Sequence, residues 1–199
     1  MARDAPSDRL ALGISHYQEK RFAAAAEHLS AASAEPSELA DYAVYYYALT
    51  LAALEKHAEA ARALEDFPRH FPASPLLRSA AGQRADSLSL SGRATEALAL
   101  LSTAPPATAS GWMLLAQVAE RAGELVRAAR AYQHVYYEFP TAAEQATALA
   151  ELNGLRARLG PRYPQPPPEM RLGRADRLTD AGQHRLVARD FSCAIAVGR

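Results

Sequence analysis

Six histidines offer the first chemistry to weigh: His16, His28, His57, His70, His134 and His184. A protein metal site draws imidazoles together at short helical spacing, as in a His-Glu-x-x-His pair that sets both rings on one helix face. None of the six has such a neighbour, so they read as exposed or turn residues and no metal is expected. Cys193 is the only cysteine. It can close no internal disulfide, and with no identifiable partner it is not expected to act as a catalytic thiol. Carboxylates are plentiful, and a glycosidase needs only two of them flanking a bond. Glu35, Glu38 and Asp41 fall at a loop and a helix start, where acids complement the helix dipole. Glu65-Asp66 falls late in a helix, on its solvated side. A Gly-x-Ser-x-Gly elbow and a glycine-rich phosphate loop are missing from the sequence. The expectation is a chain with no catalytic residue and no cofactor.

Tyrosine is the other resource. The clusters Tyr45-Tyr46-Tyr47 and Tyr136-Tyr137 supply apolar area with a polar tip, which suits capture of a peptide. Their alternative use is packing between helices, the better fit for Tyr46 and Tyr47.

What positions these side chains is a repeat. The small residues Gly13, Ala48, Ala85 and Ala116 recur at spacings of 35, 37 and 31 residues. Each precedes a turn (Glu19-Lys20-Arg21, Lys56-His57, Ser91-Gly92, Gly123), a second alanine (Ala25, Ala60, Ala97, Ala128) and a bulky residue (Leu29, Leu64, Leu101, Tyr132). Each unit then closes at proline: Pro36, Pro72, Pro105-Pro106 and Pro140. A small residue midway along one helix and another early in the next let two backbones approach closely, and proline stops the second helix. One such pair cannot bury its apolar face alone, so the pairs must stack. After Pro140 the sequence predicts one more helix, Thr141 to about Leu159, with Ala142, Ala146, Leu149, Leu152 and Leu155 on its stripe. Residues 160–169 hold Pro161, Pro164, Pro166, Pro167 and Pro168 and predict an extended linker. A partial further repeat follows over 170–199: Leu172, Ala175, Leu178, Gly182, Val187 and Phe191, then an irregular tail without a polar closing helix.

Charge and composition narrow the partners. Lys plus Arg and Asp plus Glu both number 22, for a net charge of zero. Nucleic-acid and membrane-surface binders lean on positive charge, so neither is expected. The apolar fraction of 49% in 199 residues suffices for a sizeable core. A run of about 18 apolar residues is missing, so no membrane span is expected. Met1 to Leu10 is polar and charged, without the apolar stretch of a signal peptide.

The fourth copy, Trp112, Leu115, Ala116, Gly123, Ala128, Tyr132, Val135 and Pro140, resembles the tetratricopeptide repeat. The resemblance implies an all-α, helix–turn–helix solenoid over 1–159, about four repeats and an extra helix forming a right-handed superhelix. It also implies a concave face lined by first helices. That mapping gives Leu10, Ile14, Tyr17 and Gln18 in repeat one, and Tyr42, Tyr45 and Leu49 in repeat two. Repeat three gives Asp86 and Ser89, and repeat four gives Met113, Gln117, Glu120 and Arg121. The strings Arg127 to Pro140 and Arg171 to Asp176, with the proline-rich break between them, are similar to the N-terminal α-superhelical domain of soluble lytic murein transglycosylases. This implies a periplasmic setting and a partner in the cell envelope or its peptidoglycan. That family's acid is a Glu followed by Ser, and no Glu-Ser pair occurs here, so no catalytic residue carries over. Two functions are therefore expected as alternatives. One is a non-catalytic scaffold holding a protein or peptide on its concave face. The other is the superhelical part of a transglycosylase without its catalytic domain, the chain then ending mid-repeat. If the start is genuine, the first alternative is cytoplasmic.

Overall fold

A computed structural model describes residues 6–103 and 106–186 of the chain. Every regular element among the described residues is helical, and the fold is all-α and solenoid-like, with helices near in sequence packed on one another within each unit. The chain divides into two compact units, Met1–Ala104 and Pro105–Arg199.

The first unit holds α1 (Pro6–Gln18), α2 (Phe22–Ser33), α3 (Ala40–Ala53), α4 (His57–Ala63), α5 (Phe67–His70), α6 (Leu77–Leu90) and α7 (Ala94–Leu101). α1 packs on α2, α2 on α3, α3 on α4, α4 on α6 and α6 on α7. The first helices also touch one another, α1 with α3 and α3 with α6. The repeat register read from the sequence coincides with the deepest burial. Ala25, Ala48, Ala60, Ala85 and Ala97 are all 0% exposed. Gly13 is buried too, and a β-carbon there would lie 2.5 Å from Leu29 Cγ, so the Leu29 side chain fills the space that glycine leaves. The second helix of repeat two breaks into α4 and α5 around a turn at Leu64–Asp66. Pro68, in the first turn of α5, accounts for the break: it has no N–H, and its ring would collide with the carbonyl one turn earlier.

The second unit holds α8 (Ala109–Arg121), α9 (Leu125–Glu138), α10 (Gln145–Leu159) and α11 (Pro168–Asp180). α9 packs on α8, α10 and α11. Ala116, Ala128 and Ala129 are 0% exposed and Tyr132 1%, again at the repeat positions. Three expectations need correction here. α10 starts at Gln145, after a turn that follows Pro140, and not at Thr141. Its buried stripe is Ala148, Leu152, Leu155 and Leu159: Leu152 and Leu155 lie where expected, whereas Leu149 is only half-buried and Ala146 is exposed. Most of the remaining residues of α10, including Thr147, Glu151, Asn153 and Arg158, are exposed. The proline-rich stretch has no regular structure from Tyr163 to Pro167, and it is tethered to the unit. Gly160–Arg162 forms a 3-10 turn, Tyr163 is 6% exposed, and Gln133 Nε2 donates to the Pro164 carbonyl at 2.7 Å. α11 then carries Leu178 at 0% exposure, but Leu172 stands 61% exposed, off the expected stripe. Val187, Phe191 and the expected tail lie outside the described residues.

One device ends α1, α3, α6, α8 and α11. Lys20 (φ 60°), Glu55 (60°), Gly92 (86°), Gly123 (79°) and Gly182 (69°) all adopt the left-handed conformation. The next residue's N–H reaches back five positions: Arg21 to His16, Lys56 to Leu51, Arg93 to Leu88, Glu124 to Ala119 and Gln183 to Leu178, at 2.8–2.9 Å. The left-handed residue itself donates three positions back, Lys20 to Tyr17 and Gly123 to Glu120 among them. This is the Schellman closure, which satisfies carbonyls that a helix end would otherwise leave unpaired. After α1, α3, α6 and α8 the chain thereby reverses within three residues and lays the next helix back on the one before.

Candidate functional site

The first unit brings the tyrosines into one array. Tyr17 of α1 meets Tyr46 of α3 edge-on, ring centres 5.9 Å apart, and Tyr46 meets Tyr45 at 6.0 Å. Tyr17 also lies 5.7 Å from Phe22. Tyr45 is half-buried, and burial raises its phenol above its ordinary pKa. The array thus joins α1 to α3, and Tyr45 also packs on the cluster that includes Ala80 of α6. Tyr42, one turn before Tyr46, is half-buried against the Leu10, Leu29 and Ala43 core. Tyr46 and Tyr47 pack between helices as the sequence suggested, and Tyr46 is also the link that joins Tyr17 to Tyr45. Gln18 is exposed beside Tyr17. Asp86 is half-buried, whereas Leu10 and Ser89 are 5% exposed and offer a partner almost nothing.

Asp41 starts α3 under this array. Its carboxylate accepts the Tyr42 N–H at 2.9 Å and the Ser74 hydroxyl at 2.6 Å. It therefore ties the Phe71–Leu76 loop to the helix start, the structural use expected of a first-turn acid. Glu35 pairs with Arg9 at 2.5 Å, Asp66 with Arg69 at 3.1 Å and Glu65 with Arg84 at 3.4 Å.

In the second unit the expected residues have different fates. Gln117 and Arg121 are exposed, and Met113 is buried at 7% exposure. Glu120 spends both carboxylate oxygens inside the unit. Oε2 accepts from the Tyr132 hydroxyl at 3.1 Å, and Oε1 pairs with Arg158 Nη1 of α10 at 2.8 Å. Burial and the adjacent Glu120 charge push the Tyr132 phenol well above its ordinary pKa, so it stays a donor. Glu120 is thus a brace across α8, α9 and α10. Sequence reasoning missed this brace because its members lie 12 and 38 residues apart and no local spacing signals it.

Four histidines depart from the exposed reading. His16, His28, His57 and His134 are half-buried, because each lies on a helix face that meets its neighbour. His16 stacks on His28 at 5.3 Å, and His134 stacks on Trp112 at 4.0 Å with planes 6° apart. Burial lowers the His134 pKa; Arg177 lowers it further, while Glu138 opposes. Among the described residues no three His, Cys, Asp or Glu side chains converge as a metal cluster, and no helix is long and apolar enough to cross a membrane. No protein-family model and no curated protein matches the chain.

Proposed function

We propose that this chain is an interaction scaffold of the tetratricopeptide type, without catalysis of its own, which holds a peptide or protein on the tyrosine face of its first unit. The observation that carries the reading is the Tyr17–Tyr46–Tyr45 array, which joins the first helices α1 and α3, with Tyr42 alongside. Rigid aromatic groups with polar tips gain contact area at low conformational cost, and they are the side chains that most often anchor a partner. The occupied carboxylates of Asp41, Glu120 and Glu35 support the same reading, since each serves the fold. The cell-envelope setting belongs to this proposal and rests on the residue likeness described above.

The test is a displayed peptide library panned on the chain. Tyr42→Ala should weaken the selected binders about tenfold, the effect of losing one aromatic anchor. Tyr45→Phe keeps the ring and removes only the hydroxyl, which separates the polar tip from the packing of the ring. Unchanged binding in both variants would move the site off this face. Loss of the helical signal would show that these tyrosines serve the core.

A further inference from the structure

In the second unit α11 packs on α9 through a small set of buried side chains. Only two of the thirteen residues of α11, Arg174 and Leu178, are buried. Arg174 is 2% exposed; its guanidinium lies 3.9 Å above the Tyr136 ring and donates through Nη1 to the Tyr136 carbonyl at 2.5 Å. Three residues on, Arg177 pairs with Glu138. Gly173 leaves room for that arginine, since a β-carbon there would lie 2.7 Å from Arg177 Nη1. Aromatic ring, carbonyl and carboxylate on α9 therefore form a socket for two arginines one helical turn apart, with Leu178 as the apolar peg. Planar guanidinium suits such a socket where lysine would not.

The seating of α11 is specific but not extensive. Its other residues are mostly exposed, Leu172 among them, and it packs on α9 rather than on α10, the helix before it. The residues between α10 and α11 have no regular structure from Tyr163 to Pro167. A buried guanidinium gives back much of its pairing energy as desolvation, so such a contact specifies geometry more than it stabilises. We propose that the outer face of α9 is a docking site for a helix of pattern Arg-x-x-Arg-Leu, and that α11 fills it in cis as a displaceable latch. The occupant in trans is a basic helix of that same pattern. This surface is independent of the tyrosine face, so either can fail alone.

The probe is a labelled peptide of residues 163–182, and the host is the full chain with Arg174→Glu and Arg177→Glu. Hydrogen exchange should show α11 of this variant losing protection while α8 and α9 keep theirs. The released chain should then bind the peptide at least about tenfold more tightly than the wild type, whose own latch competes at high effective concentration. A peptide carrying both Glu substitutions should not bind. If the double variant loses protection in α8 and α9, Arg177→Gln alone takes its place as host. Equal binding to both hosts, binding to neither, or a retained α11 in the variant would each overturn the latch.

Discussion

The left-handed caps give the sharpest test of how this chain folds. Five helix ends close with a left-handed residue in this Schellman pattern, and two of those residues, Lys20 and Glu55, are not glycine. A side-chain-bearing residue in that conformation costs roughly 1–2 kcal/mol from contact between its β-carbon and its own backbone. At Gly92 and Gly123 an added β-carbon would meet nothing within 4 Å, so alanine there pays that local cost and no other. Alanine also has fewer conformations to lose on folding, which returns about 0.4–1 kcal/mol. Gly92→Ala and Gly123→Ala should therefore destabilise by about 1 kcal/mol each, the difference of those two terms. Lys20→Gly and Glu55→Gly reverse the terms and should stabilise by roughly 0.5–1 kcal/mol. Urea unfolding followed by circular dichroism reads this as a shift of midpoint at unchanged slope. Opposite signs for the two pairs are the requirement. Neutral alanines together with destabilising glycines would refute the argument, because the cap would then be held by side-chain contacts and not by backbone conformation.

The repeat phase predicts that Ala128→Leu, at 0% exposure, costs roughly 1–3 kcal/mol by overpacking, while Ala143→Leu, exposed in the turn before α10, is near neutral in the same urea assay. Gly13→Ala should destabilise although alanine is the better helix former, because the new β-carbon would sit 2.5 Å from buried Leu29; a gain in thermal midpoint would show that Leu29 moves freely. His134 titrates below its unfolded value of about 6.5, so the unfolded chain binds more protons in the window between the two. Its contribution is complete above pH 6.5 and falls as pH drops towards the folded pKa; His134→Gln should flatten that slope, and NMR titration of the ring should show the depressed midpoint. Glycan-strand release from peptidoglycan should not exceed a blank, and release abolished by Glu120→Gln or Glu138→Gln would overturn the scaffold proposal.

The sequence alone determined what local packing and backbone chemistry can state. Gly13, Ala48, Ala85 and Ala116, with Ala25, Ala60, Ala97 and Ala128, were legible because a close helix crossing admits only small side chains, and that demand recurs at every copy. The turns were legible where glycine marks them, and less so at Lys20 and Glu55, where a residue accepts the strained conformation that the hydrogen bonds impose. Tertiary structure decided the rest. It folded the proline-rich stretch onto Gln133, turned α10 so that Ala148 and Leu159 face inward, and buried Met113. It also joined Tyr132 and Arg158 through Glu120, and seated Arg174 on Tyr136 from 38 residues away. Charged and aromatic side chains are long and can satisfy their polar atoms in many directions. Their partners are therefore set by which helices arrive beside them, which no local spacing records.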